Sequence, residues 1–148
     1  MKIFIDGDGC PVIKETIEIA KEYKIECILI TDTAHDFGKY DVKKITVSKG
    51  ADSVDFALVN LIQNGDIVVT QDYGLAAMCL ARKANPINQN GLVYTDENID
   101  TLLFTRYVSK KIRMSGGRTK GPSKRKETNN TEFEISLRKL IVEAIKKA

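Results

Sequence analysis

Five aspartates stand at places in the sequence where side chains commonly do chemistry. Asp6 and Asp8 follow an apolar run, Asp72 follows a second one, and Asp52 and Asp55 stand at the start of a predicted helix. Neighbouring parallel strands end at one edge of a sheet, where open α/β sheets bind ligands, so we expect the carboxylates to converge there. The two aspartates on the helix are three residues apart, which places them on one face.

Carboxylates gathered in this way repel one another unless a cation lies among them. Hard oxygen ligands suit Mg²⁺ or Mn²⁺, which keep several waters and bridge to substrate phosphates. Each aspartate also has a structural explanation: Asp52 with Asp55 is close to a capping box, Asp72 suits a helix N-cap, and Asp6 and Asp8 suit a loop with bonds to backbone amides. Their joint placement at one predicted sheet edge favours the metal site.

Alternating strands and helices must position these carboxylates. The apolar patterns predict a first strand that ends at Asp6, then strands over 25–30, 42–47, 66–70 and 92–94. Helical spacing is found over 12–23, after 50–52, over 74–84, over 98–107 and over 131–147. This alternation predicts an α/β protein with a mostly parallel sheet flanked by helices.

Positive charge is concentrated in one stretch near the C-terminus. The chain has a formal net charge of +3, yet residues 110–127 hold eight cationic side chains and one acid, so the rest of the chain is net negative. Such asymmetry favours a polyanionic partner. The predicted nucleic-acid-binding residues are Lys110, Lys111, Arg113, Arg118, Lys120, Lys124, Arg125 and Lys126.

The 148 residues divide into three predicted parts. Residues 1–108 form the α/β domain, 109–130 an extended or mobile basic arm, and 131–148 a helix that packs on the domain or on a partner subunit. No apolar run approaches the ~20 residues of a membrane-spanning helix, and no signal peptide is recognisable. The three cysteines lack disulfide or metal spacing, which with these features predicts a cytoplasmic protein without a membrane partner. The oligomeric state is left open.

Four spaced segments carry a resemblance to a known family: DGDGCPV from Asp6, GADSVD from Gly50, VVTQDYGLA from Val68, and GP at Gly121. They resemble the motifs of the YaiI/YqxD family of uncharacterised bacterial proteins, which is similar to the PIN-domain nucleases. The resemblance implies a three-layer, Rossmann-like PIN fold. It also implies that the metal-binding carboxylates match Asp6, Asp52 or Asp55, and Asp72. Thr70 takes the place of a serine or threonine that often precedes the last of these by two residues.

These inferences together predict a metal-dependent nuclease that hydrolyses phosphodiester bonds, with RNA favoured as substrate. Asp6, Asp72 and one of Asp52 or Asp55 would hold Mg²⁺ or Mn²⁺, which activates a water and neutralises charge on the phosphate. Asp8 is a further catalytic carboxylate that binds the metal or orients its ligands. Thr70 supports the site, and the basic arm contacts the nucleic-acid backbone.

Two alternatives stay open. In the first, the chain is a non-catalytic nucleic-acid-binding module whose aspartates are structural caps. In the second, it is a haloacid-dehalogenase-like phosphotransferase with Asp6 as nucleophile, since an apolar strand followed by Asp-x-Asp begins such enzymes. Thr31 supplies the hydroxyl that this mechanism needs after the second strand, but Asp66 precedes the fourth strand and only Asp72 follows it.

Overall fold

Strands and helices alternate along the chain. The fold is that of a computed structural model, which describes residues 1–32, 38–48, 53–119 and 124–147. The elements in order are β1 (Lys2–Asp6), α1 (Ile13–Glu22), β2 (Glu26–Asp32), β3 (Lys43–Val47), α2 (Ser53–Leu61), β4 (Ile67–Val69), α3 (Tyr73–Ala81), β5 (Asn85–Ile87), α4 (Asp96–Met114) and α5 (Glu127–Lys147).

The five strands form one parallel sheet in the order β3-β2-β1-β4-β5. β1 lies in the middle, and its apolar residues Ile3, Phe4 and Ile5 are buried on both faces. An uninterrupted apolar run is what a strand covered on both sides requires. The direction in which the strands are added reverses between β1 and β4, which is the point where such sheets bind ligands.

Helices cover both faces of the sheet. Ile3 and Ile5 point to one face, where they pack with residues of α1 and α5, and Phe4 points to the other, where it packs with residues of α2 and α3. This division follows from the two-residue period of a strand. α4 packs on α3 through Ile99 and its neighbours. The structure thus confirms the predicted α/β class, with three layers and a parallel sheet.

The fifth strand is not where the sequence predicted it. β5 is Asn85–Ile87, whereas Val93 of the predicted 92–94 strand makes only an isolated antiparallel bridge to Ile87. Pro86 lies within β5, and proline is tolerated there because β5 is the last strand of the described sheet, with only the isolated bridge to Val93 on its outer side. Because proline normally argues against a strand, the sequence pattern did not predict β5.

The basic segment differs from the predicted extended arm at both ends. α4 continues to Met114 before Ser115 and Gly116 end it, and α5 already begins at Glu127. Lysine, arginine and methionine are good helix formers, so few apolar residues do not prevent a helix. The division of the chain into domain and arm stays a prediction. None of the described helices is long and apolar enough to cross a membrane.

The C-terminal helix docks on the body of its own chain. Phe133, Leu137 and Ile141 of α5 are completely buried in the core cluster that contains α1 and one face of the sheet. Arg138 donates two hydrogen bonds to the Glu22 carboxylate at the end of α1, at 3.1 and 3.2 Å. The sequence left open whether this helix packs on the domain or on a partner subunit. In the structure it packs on the domain.

Truncation of the docked face of α5 is expected to destabilise the whole fold. Leu137→Ala removes a fully buried side chain and should lower the free energy of unfolding by about 3 kcal/mol. Ile135→Ala, on the exposed face of the same helix, should change it by less than about 0.5 kcal/mol. Urea unfolding followed by circular dichroism measures both, and equal effects would contradict the docking.

Candidate active site

An open cleft of ≈ 470 Å³ lies at the carboxyl edge of the sheet. β1, β2 and β4 end there, and α2 and α3 begin there. Its described lining holds five carboxylates and one arginine, so its field is negative. The lining residues of this acidic cleft are Asp6, Asp8, Asp32, Ser53, Val54, Asp55, Gln71, Asp72, Tyr73 and Arg106. Asp6, Asp8, Asp55 and Asp72 therefore lie together, while Asp52 lies outside the described residues.

The hydroxyl group of Thr70 joins the ends of the two central strands. Ile5 pairs with Val69, so the next residues along, Asp6 and Thr70, end the strands side by side. Thr70 Oγ1 donates a hydrogen bond of 2.8 Å to Asp6 Oδ2 and accepts one of 3.0 Å from the backbone N–H of Asp72. The buried hydroxyl thereby fixes the positions of both aspartates.

Asp72 is the N-cap of α3, as its structural explanation predicted. Its Oδ1 accepts hydrogen bonds from the backbone N–H groups of Gly74 and Leu75, at 2.9 and 3.2 Å. Arg106 Nη1 lies 3.6 Å from the same oxygen. All the hydrogen bonds and ion pairs that reach the Asp72 side chain from described residues end on Oδ1. Capping therefore leaves Oδ2 without a partner among those residues.

Asp6 is electrostatically disfavoured as an anion. The pKa of its carboxyl is raised to about 6, mainly by burial and also by the nearby charges of Asp72 and Asp8, while the Thr70 hydrogen bond opposes the shift. The carboxyl is still mostly ionised at neutral pH. A cation in the cleft would favour its charged form, because an opposite charge nearby lowers the pKa of a carboxyl.

Two glycines shape the turn that carries Asp8. A Cβ on Gly7 would lie 2.9 Å from side-chain atoms of Leu29 and Thr31, so only glycine fits this close to β2. Gly9 has a φ of +65°, which favours glycine, and its carbonyl accepts a hydrogen bond of 2.7 Å from Gln71 Nε2. The turn after β1 is thus tied to the segment after β4.

The sequence prediction missed two charged residues of the cleft. Asp32 ends β2, which pairs with β1, and its position at the same edge was a usable signal. Arg106 comes from the middle of α4 and contacts Asp72, which lies more than 30 residues earlier in the chain. No local pattern around Arg106 indicates that it returns to the cleft.

The cleft offers ligands for a metal but no ready-made cage. Among the described residues, no three acidic, histidine or cysteine side chains are grouped closely enough to hold a metal ion together. Mg²⁺ is usually held by one or two carboxylates, with waters and substrate phosphates as its other ligands. Asp6 and Asp72, joined through Thr70, fit that mode.

The predicted nucleic-acid-binding residues do not form one arm. Lys110, Lys111 and Arg113 lie on the exposed C-terminal half of α4, and Arg118 lies in the segment after it. Lys120 lies outside the described residues. A second pocket, of ≈ 520 Å³, contains the other three. We call it the basic pocket, and its lining is Pro11, Gln71, Gln89, Asn90, Lys124, Arg125, Lys126 and Asn129.

Two other candidate residues, Cys10 and Asp66, are poorly suited to a catalytic role. Burial raises the pKa of the Cys10 thiol to about 11, so it is not a thiolate at neutral pH. Asp66 lies at the start of β4, where it accepts hydrogen bonds from the backbone N–H groups of Lys2 and Gln63. It is therefore at the edge of the sheet opposite the cleft, and cannot supply the second acid of a phosphotransferase.

Comparisons with known proteins identify relatives along nearly the whole chain. A family model described as "Uncharacterized BCR, YaiI/YqxD family" matches residues 4–143. A protein of Exiguobacterium sibiricum is 54% identical over 143 residues, covering 97% of this chain and 98% of its own. One of Ruminiclostridium cellulolyticum is 50% identical over 137 residues, covering 93% and 90%. Both are named only as UPF0178 proteins.

Among solved structures, Rae1 (YacP) from Bacillus subtilis is similar to this chain over 98% of its length and 99% of the other. The sequence identity is 14% and the TM-score is 0.44. The fold is defined by the strand order β3-β2-β1-β4-β5 and by the helices on both faces of the sheet.

The raised pKa of Asp6 predicts a pH-dependent effect of Asp6→Asn on stability. Asp6 ionises near pH 3.8 when unfolded and near pH 6 when folded, so its stabilising contribution is full below about pH 4 and is lost as pH rises through 6. The uncharged variant should be more stable than the wild type by roughly 3 kcal/mol at pH 8. The difference should close below pH 4. Urea unfolding at several pH values measures it, and a difference that is constant with pH would contradict the assignment.

Removal of the Thr70 hydroxyl is expected to raise the pKa of Asp6 further. Thr70→Val keeps the shape of the side chain but removes the hydrogen bond that lowers this pKa. Thr70→Ser keeps the hydroxyl and serves as the control. Carbon-detected NMR titration of the Asp6 carboxyl measures the value directly. An unchanged pKa in the valine variant would exclude the bridge.

Proposed function

For this chain, which belongs to the YaiI/YqxD family of uncharacterised proteins, we propose metal-dependent hydrolysis of phosphodiester bonds, with RNA as the favoured substrate. One observation carries the proposal. The Thr70 hydroxyl binds the carboxylate of Asp6 and the backbone N–H of Asp72, and both aspartates line one open cleft at the switch point of a parallel sheet. The similarity of the YaiI/YqxD family, whose motifs the chain carries, to the PIN-domain nucleases favours RNA.

The metal would be Mg²⁺ or Mn²⁺, because the donors are carboxylate oxygens. Asp6 and Asp72 would hold it, and Asp8 with one of Asp52 or Asp55 would contribute directly or through water. When bound, the ion supplies a water of lowered pKa and offsets negative charge on the phosphate. Burial and, to a smaller extent, like-charge repulsion raise the pKa of Asp6, and this supports the role, since a cation would offset both.

The chain's own residues have separate tasks in this proposal. Thr70 joins the two strand ends through its hydrogen bond to Asp6, and it holds the backbone of Asp72 through the bond that it accepts. The backbone N–H groups of Gly74 and Leu75 hold Asp72 at the start of α3, so the carboxylate needs no reorganisation. Arg106 is the cation of the described cleft lining, and its guanidinium is placed to donate to the oxygens of an attacked phosphate.

The rival explanations predict different results. A non-catalytic binding module uses Asp72 as a cap, and its contacts with Gly74 and Leu75 favour that role as far as Oδ1 is concerned. Such a module would bind no metal through Asp6 and Asp72. The phosphotransferase lacks its second acid, because Asp66 lies at the other edge of the sheet.

Loss of either central charge is expected to abolish cleavage. Asp6→Asn and Asp72→Asn should each lower the Mn²⁺-dependent cleavage of single-stranded RNA by about 100-fold or more, since each removes a metal ligand. Asparagine is as good an N-cap as aspartate, so Asp72→Asn should keep α3 intact. The rate is measured with a labelled oligonucleotide, with EDTA as the metal-free reference.

Asp100→Asn is the matched control, because it removes a carboxylate from the exposed surface of α4 and leaves the cleft lining unchanged. Calorimetric titration with Mn²⁺ should show binding to the wild type and the control, and much weaker binding to the two cleft variants. Wild-type rates in folded Asp6→Asn and Asp72→Asn proteins would overturn the proposed site.

A further inference from the structure

The basic pocket is opposite in charge to the acidic cleft. Its described lining holds three consecutive cations, Lys124, Arg125 and Lys126, and no acidic side chain. The other lining residues are Pro11 and the neutral amides of glutamine and asparagine. A concave surface with this composition attracts anions and provides N–H donors to bind them.

Arg125 is held in place without losing its charge. Its Nε donates to Asn130 Oδ1 at 2.8 Å, Nη1 to Asn90 Oδ1 at 2.6 Å and Nη2 to the carbonyl of Gln89 at 2.7 Å. All three acceptors are neutral. The guanidinium has five N–H donors, so two remain for a ligand. Among the described residues, no carboxylate pairs with it.

The polar network of the pocket is incomplete in the protein alone. The Oε1 atom of Gln89 is buried and has no hydrogen-bond partner among the described residues. Buried polar groups nearly always have a partner, and this one is an acceptor, so the group that completes the network must be a donor. A phosphodiester has none, whereas the ribose hydroxyls and base N–H groups of a bound strand do.

The two pockets share a wall. Gln71 lines both of them, and its Nε2 donates to the carbonyl of Gly9. On either side of this bond, Asp8 and Asp72 face the acidic cleft, while Pro11 faces the basic pocket. A ligand that crosses Gln71 therefore passes directly from one pocket to the other.

We propose that the basic pocket binds a backbone phosphate of a nucleic-acid strand that crosses Gln71 and presents its next phosphodiester to the acidic cleft. The pocket's role as a phosphate subsite is independent of catalysis, whereas the position of the next phosphodiester rests on the proposed function. The acidic cleft repels nucleic acid. The three cations of the basic pocket, on the other side of Gln71, offset that repulsion. The strand is then anchored before any metal is bound.

The test measures binding without metal, so that it does not depend on cleavage. Fluorescence anisotropy of a labelled single-stranded RNA is recorded in EDTA over a range of salt concentrations. The variant Lys124→Gln with Lys126→Gln should weaken binding roughly tenfold and reduce the slope of log affinity against log salt by about 1.4, the value for two phosphate contacts on a single strand. Both lysines are exposed, and the fold should be unchanged by circular dichroism.

Lys146→Gln with Lys147→Gln is the matched control. It removes the same charge from the C-terminal end of α5, about 30 Å from the start of that helix, which Lys124 and Lys126 precede. We expect less than a twofold change in affinity for this pair. An equal loss in both pairs would overturn the subsite, because binding would then follow net charge alone. Competition by a poly-glutamate peptide as strong as that by RNA would also overturn it.

Cleavage assays separate this inference from the proposed function. In Mn²⁺, the Lys124 and Lys126 variant should raise KM roughly tenfold and leave kcat within about twofold, because the pocket binds substrate away from the reacting phosphate. One outcome would refute the nuclease and retain the subsite: RNA binding is weakened only in the Lys124 and Lys126 variant, and neither the wild type nor any variant cleaves RNA. Cleavage with equal RNA binding by both lysine pairs would refute the subsite and retain the nuclease.

Discussion

The parallel pairing of β1 with β4 is the constraint on which the rest of the structure depends. It brings together residues that are more than 60 positions apart and makes their strands end side by side. The pairing is stable because Ile3, Phe4 and Ile5 are buried by helices on both faces. Once this register is set, Asp6 lies beside Thr70. Two residues later, Asp72 caps α3 and adds a second carboxylate. The acidic cleft is a consequence of how the centre of the sheet is packed.

The grouping of several aspartates in the acidic cleft lowers the stability of the fold. Asp6 is buried next to other aspartates, which raises its pKa to about 6, so its ionisation opposes folding at neutral pH. Helix α3 begins at the cleft, and the partial positive charge of its N-terminus stabilises the carboxylate that caps it. Arg106 adds a full charge from α4. Sites that sacrifice stability in this way are typically functional, because selection retains them for their chemistry.

Helix α5 links the core to the second pocket. Phe133 and Leu137 complete the hydrophobic layer over one face of the sheet, and this docking sets where the helix begins. Just before that start, Arg125 reaches across to Asn90 in the loop after β5. The C-terminal helix thus supports the fold and also positions the cations. The chain carries an acidic and a basic surface on either side of Gln71, an arrangement suited to a divalent cation and a polyanion together.

Local patterns were sufficient for much of the fold and for the centre of the site. The apolar run before Asp6, the helical spacing of α1 and α5, and the cap before α3 each depend on neighbours along the chain, so the sequence alone indicated them. The α/β class followed from these patterns and is confirmed. Asp6, Asp8, Asp55 and Asp72 line one cleft at the sheet edge where the sequence places them. The roles assigned to those aspartates stay predictions.

The remainder depended on contacts between distant parts of the chain. β5 was missed because Pro86 is compatible with a strand only at the edge of a sheet, and the sequence does not reveal which strand is the edge. Arg106 belongs to the cleft because α4 packs on α3. Arg125 belongs to a pocket because its partner Asn90 is 35 residues away. The sequence by itself determined which segments are strands, helices and caps, since these depend on neighbouring residues; tertiary packing decided which charges meet.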